Sequence, residues 1–180
     1  MRRQDRRAWA AARDLDDLGR LVARWLAGEI RQTPSHCGPP DPETRPLAAV
    51  LAAVNLAGVV TENSQAASTP QDEQRAGASW NAWAAAFMRD SDLPRLREAC
   101  SRAGLVIETA CRGTEHHGHR RWRGCPRSHL DGFWTERAPQ ARAAITSAWY
   151  VVAADPEDGR NDRLWPALAG LAGPGPYPAG

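Results

Sequence analysis

The strongest constraint on this chain is a unit that its sequence repeats three times: a helix pattern that stops and runs directly into a short apolar, β-branched stretch. Residues 43–57 read as a helix with Pro46 near its start and Gly58 just past its end, followed by Val59 and Val60. Residues 91–103 read the same way, with Pro94 early, Gly104 at the stop position, then Leu105, Val106 and Ile107. Residues 139–148 form the third, running into Trp149, Tyr150, Val151 and Val152. Short runs of this kind suit strands buried on both faces. Helices alternating with such strands point to parallel neighbours, because parallel pairing requires crossover connections. The expected fold class is therefore α/β: a small layered domain with a short, mainly parallel sheet of three to four strands and flanking helices. The segment 115–123 is the place where a fourth strand is sought.

Other segments fill in the architecture. Leu15, Leu18, Leu21, Val22, Trp25 and Leu26 fall at helical spacing behind Asp14, a capping residue. Pro34, Gly38, Pro39 and Pro40 mark residues 32–41 as a loop. Residues 70–88 read as one helix opened by Thr69 and Pro70, with Ala76, Trp80, Trp83, Ala84, Phe87 and Met88 as a core-packing stripe. Cys100 shares a face with Leu93 and Leu96 and reads as core. The organisation expected is a basic N-terminal segment over 1–13, a single α/β domain over 14–169, and a disordered Gly/Pro tail over 170–180.

Composition sets the outer limits. With 42% apolar residues in 180, the chain can bury a core, which excludes wholesale disorder, a collagen-like fibre and a disulfide scaffold. The net charge of +2 does not demand a nucleic acid or an anionic membrane as partner. All 23 basic residues are arginine, which reads as a coding bias and discounts arginine as a functional signal. No secretory signal pattern opens the chain, and its longest uncharged apolar run, 46–61, is too short for a bilayer crossing. A cytoplasmic protein is expected, with Cys37, Cys100, Cys111 and Cys125 as reduced thiols or ligands and not disulfides.

No catalytic signature stands out. In a parallel sheet ligands bind beyond the carboxyl ends of the strands, which directs attention to the strings after each expected strand. Thr61, Asn63, Ser64 and Gln65 are small or amide side chains that both donate and accept hydrogen bonds, suited to the polar edges of a carboxylate, phosphate or ribose. No base adjoins Ser64, so it is not read as a nucleophile. Asp155 is the contribution expected from the third strand, although Asp155-Pro156 and Asp158-Gly159 are also turn dipeptides. Cys111, His116, His117, His119, Cys125 and His129 crowd together, but their spacing matches no regular zinc pattern and Arg120, Arg121 and Arg123 oppose a cation, so no metal site is assigned. The function expected is binding of a small polar or nucleotide-like ligand at the Thr-x-Asn-Ser-Gln string. The alternative is a non-enzymatic interaction protein that engages nucleic acid or a protein partner through the Arg/His-rich segment 112–142, where Trp122 and Trp134 are interleaved.

Several strings taken together resemble a known family: Leu15-Asp16-Asp17-Leu18-Gly19, Ala23-Arg24-Trp25-Leu26, the run from Pro39 to Thr44, Gly58-Val59-Val60-Thr61 through Ser64-Gln65, Gln74-Arg75-Ala76, and Asp155-Pro156-Glu157 through Gly159 to Pro166. The resemblance, over about 14–168, is to actinobacterial proteins grouped as domain of unknown function 6919. It implies no activity. Ala66-Ala67 stands where the family pattern has Pro-Gly, which alters the turn after Gln65. Thr61, Asn63, Ser64 and Gln65 are also similar, over fewer than ten residues, to a string in the regulatory domain of eukaryotic methylenetetrahydrofolate reductase, an S-adenosylmethionine-binding module. That similarity implies an adenosyl-type ligand.

Overall fold

A computed structural model describes residues 1–110 and 130–173. Two helices open the chain, α1 (Arg3–Ala11) and α2 (Leu15–Leu26). Asp14 starts α2 as expected, its carboxylate accepting the Asp17 N–H at 2.8 Å. The Asp17 carboxylate accepts in turn from the backbone N–H and the side chain of Arg13, which holds it down at a pKa of about 2. Leu15, Leu18, Leu21 and Val22 bury the inner stripe of α2. The basic N-terminus is not separate from this core, because Trp9 of α1 is fully buried within it.

After a loop and a short 3-10 turn come α3 (Ala48–Leu56), β1 (Val60–Gln65), α4 (Pro70–Ala76) and β2 (Asn81–Met88). Then follow α5 (Leu93–Ala103), β3 (Val106–Ala110), α6 (Leu130–Arg137), α7 (Arg142–Ser147), β4 (Trp149–Asp158) and α8 (Leu164–Ala169). The four strands form one sheet in the order β1-β2-β4-β3.

Every neighbouring pair in this sheet is antiparallel, which corrects the expected mainly parallel arrangement. The reason lies in residues 70–88, which are not one helix. The capping box of Thr69 and Asp72 starts α4, but Gly77 in the left-handed conformation (φ +67°) ends it after seven residues, and the chain continues as β2. Ser68 and Trp80 bond to each other across this connection, Ser68 N–H to Trp80 O at 3.1 Å and Trp80 N–H to Ser68 Oγ at 3.1 Å. The chain therefore reverses beside β1 and does not cross over it. A crossover does occur through α5: β2 and β3 run the same way, but β4 lies between them. The segment 115–123, sought as a fourth strand, lies outside the described residues.

The sheet is buried on both faces. Trp83, Ala85, Phe87, Tyr150 and Val152 face a cluster with Trp9, Leu18, Val22, Trp134 and Ile145. Ala82, Ala84, Ala86, Met88, Val151 and Ala153 face the other, with Leu51, Val54, Leu96, Cys100 and Leu164. Cys100 is core as expected, and burial pushes its thiol up to about 11. The helices α2 and α3 cross so closely that a Cβ on Gly19 would stand 2.1 Å from the Asn55 carbonyl oxygen.

Candidate functional site

Strand β1 is an edge of the sheet, and an edge strand carries backbone groups that need partners. Asn55, fully buried at the end of α3, supplies one: its Oδ1 accepts the Thr61 N–H at 3.0 Å, and its Nδ2 donates to Thr61 Oγ1 at 2.6 Å. Further along, the Asn63 side chain accepts the Ser64 N–H at 2.8 Å. Between them β1 bulges. Thr61 pairs with Ala86 and Asn63 with Ala85, which leaves Glu62 as the extra residue with no partner in the ladder. A bulge re-aims the side chain it carries, and Glu62 lies along a cleft of about 360 Å³ beside the strand.

The opposite wall is the proline-rich segment that the sequence marked as a loop. Gln32 and Cys37 form a single antiparallel bridge, and the turn between them is fixed by the His36 N–H to Thr33 Oγ1 bond at 2.9 Å. Trp25 at the end of α2 anchors this segment, donating from Nε1 to Gly38 O at 2.8 Å and packing its ring 5.3 Å from that of His36. From α1, Trp9 Nε1 donates to Gln32 O at 3.0 Å. Ser35 and His36 are thereby brought to face Glu62 across the cleft, with Asp41, Glu43 and Thr44 continuing the wall.

Thr61, Asn63, Ser64 and Gln65 all line this cleft. They do so from within β1 and not from a loop beyond it. Gln65 is held in place by its Oε1, which accepts from Trp83 Nε1 at 3.0 Å. Asp155 does not join them. It sits inside β4, wholly buried, with its carboxylate taken by the Arg163 guanidinium and by the Glu157 N–H at 3.0 Å. A carboxylate satisfied in this way joins β4 to the start of α8, so the expected strand-end contribution from Asp155 gives way to a structural ion pair.

Glu62 was the residue that sequence reasoning passed over, though it sits in the middle of the string that was singled out. Its Oε2 is enclosed and has no hydrogen-bond partner among the described residues. Burial pushes its carboxyl up to about 7, and a hydrogen bond from Ser35 draws it only partly back. A lone carboxylate in a strand of hydroxyl and amide residues was the available signal. That it sits at a bulge, facing Ser35 and His36 from a loop much earlier in the chain, was not readable, because both depend on pairings between distant segments.

The cluster from Cys111 to His129 lies outside the described residues, as does most of 112–142. Of its two interleaved tryptophans, Trp134 is described: it is fully buried, edge-on to Trp9 at 5.7 Å and to Phe87 at 6.0 Å, and so packs the core. Among the described residues no helix is long and apolar enough to cross a membrane. Cys37 and Cys100 are free thiols.

Fold and site together define a layered α/β protein with a polar cleft against an antiparallel edge strand. The chain belongs to the family described as domain of unknown function (DUF6919), whose model matches residues 4–172. A comparison with curated proteins finds no match.

Proposed function

We propose that this protein binds a small polar ligand of nucleoside type in the β1 cleft. Thr61, Asn63, Ser64 and Gln65 offer it hydroxyl and amide groups, and Glu62 is its anchor. The observation that carries the reading is the enclosed Glu62 Oε2, which lacks a hydrogen-bond donor among the described residues and belongs to a side chain lining the cavity. A buried polar atom without a partner costs about 1–3 kcal/mol, and a bound ligand that donates to it recovers that cost. The cavity lies within the range of ~300–1,000 Å³ usual for small-molecule sites. Its lining holds Asp41, Glu43 and Glu62 and no arginine among the described residues, which favours a nucleoside over a phosphorylated nucleotide.

A thermal-shift screen of nucleosides, adenosyl compounds, nucleotides and small amines tests this, since a ligand that binds only the folded state raises the melting temperature. A shift that Ser64→Ala or Glu62→Gln removes is the expected result. A full panel without any shift overturns the reading.

A further inference from the structure

The β1 cleft does not end at Gln65. A second cavity, of about 580 Å³, begins there, and Glu43 and Gln65 line both. The two differ in character. The first is walled mainly by polar groups, whereas the second is lined largely by Pro46, Leu47, Ala66, Ala67 and the ring of Trp80. Its walls are fixed: Trp80 Nε1 donates to Ala66 O at 3.1 Å, and the Asn161 side chain holds both the N–H and the carbonyl of Ala67, at 2.8 and 3.3 Å. A preformed apolar compartment of this kind takes an apolar group without an ordering cost in the protein.

Resting on the reading of the cleft as a ligand site, we infer that its ligand has two parts. One is a nitrogen-donor head, an amine, amidine or guanidine, held by the Glu62 carboxylate. The other is a flat apolar body that passes Gln65 and lies against Trp80. The head follows from what the first cavity lacks and what it holds: an enclosed carboxylate oxygen without a donor, two further carboxylates at Asp41 and Glu43, and no arginine in its lining among the described residues, in a chain with 23 arginines. The body follows from the second cavity. Glu62 and Gln65 are three residue steps apart along the strand, roughly 10 Å at ~3.3 Å per step, which is on the order of the length of an arylalkylamine.

Calorimetric titration of the full chain with butylamine, phenethylamine and tryptamine, and with phenylacetate and indole-3-acetate as matched acids, tests both parts. The expected order is tryptamine over phenethylamine over butylamine, spanning about tenfold or more as apolar area is buried, with each acid at least about tenfold weaker than its amine. Glu62→Gln removes the preference for amines, and Trp80→Ala flattens the series. Should Trp80→Ala fail to fold, the series in the natural chain decides. Equal affinity for the three amines overturns the apolar body, and acids binding as well as amines overturn the nitrogen-donor head. If nucleosides bind and none of the amines does, the inference fails while the reading of the cleft stands; if nothing in either panel binds, both fail.

Discussion

Asn55 and Thr61 hold the start of the edge strand to the end of α3 through two hydrogen bonds, one to the Thr61 backbone N–H and one to its hydroxyl. Asn55 Nδ2 also donates to Leu51 O at 2.8 Å, so this fully buried amide is bonded at both ends. It does for β1 what a fifth strand would otherwise do.

Asn55→Ala is therefore expected to lower stability by about 2–3 kcal/mol, since it leaves the Thr61 N–H unpaired and opens a small cavity. Thr61→Val removes only the hydroxyl contact and is expected to cost about 1 kcal/mol. Urea denaturation of the two variants checks the order; equal losses would show that the backbone bond is not the important one.

Glu62 gives stability a dependence on pH. Its folded value of about 7 is raised above the ordinary 4.5, so between these limits the folded protein keeps a proton that the unfolded chain has released. The contribution is present below pH 4.5 and is lost as the pH rises through 7, on the order of 2–3 kcal/mol. Glu62→Gln stays uncharged throughout. Its melting temperature is expected to match that of the natural chain near pH 5 and to exceed it at pH 8. His36, Asp41 and Glu43 also line the cleft but are common to both proteins, so the difference isolates Glu62. Parallel pH profiles would contradict the burial of this carboxyl. A side chain whose removal stabilises the fold is a common mark of a binding site.

Gly19 sits mid-helix, where alanine is normally favoured by about 1 kcal/mol. Here the added methyl would meet the Asn55 carbonyl at 2.1 Å and force α2 away from α3. Gly19→Ala is expected to cost a net ~1–3 kcal/mol. Because α2 carries Trp25 and α3 carries Asn55, the same change is expected to weaken ligand binding in the cleft. A variant as stable as the natural chain would refute the close crossing.

Asp155 separates structure from site. Asp155→Ala leaves Arg163, among the described residues, with Glu157 at 3.0 Å as its ion-pair partner, and is expected to lower stability by about 3 kcal/mol. Any ligand-induced rise in melting temperature should persist in this variant. Its disappearance in a folded Asp155→Ala protein would return Asp155 to the ligand site.

The local elements were legible in the residues. Asp14 ahead of Leu15, Leu18, Leu21 and Val22 specified α2, and Gly104 specified the end of α5, because capping and left-handed glycine act within a few residues. The string from Thr61 to Gln65 was legible as a polar group worth following. The strand β2 was not: with all eight positions buried and four of them alanine, it lacks the alternation of a half-exposed strand, and its apolar residues continue the helical stripe past Gly77, the glycine that ends α4.

What the sequence determined by itself was the alternation of helices with apolar strands and the chemical character of β1. Tertiary structure decided the direction of the strands, the bulge that turns Glu62 into the cleft, and the folding of residues 32–44 over it. These depend on pairings between segments far apart in the chain, whose energies come from burial and register rather than from local propensity. Asp155 shows the same division: its acidity is in the sequence, but its partner Arg163 closes on it only when β4 and α8 have packed.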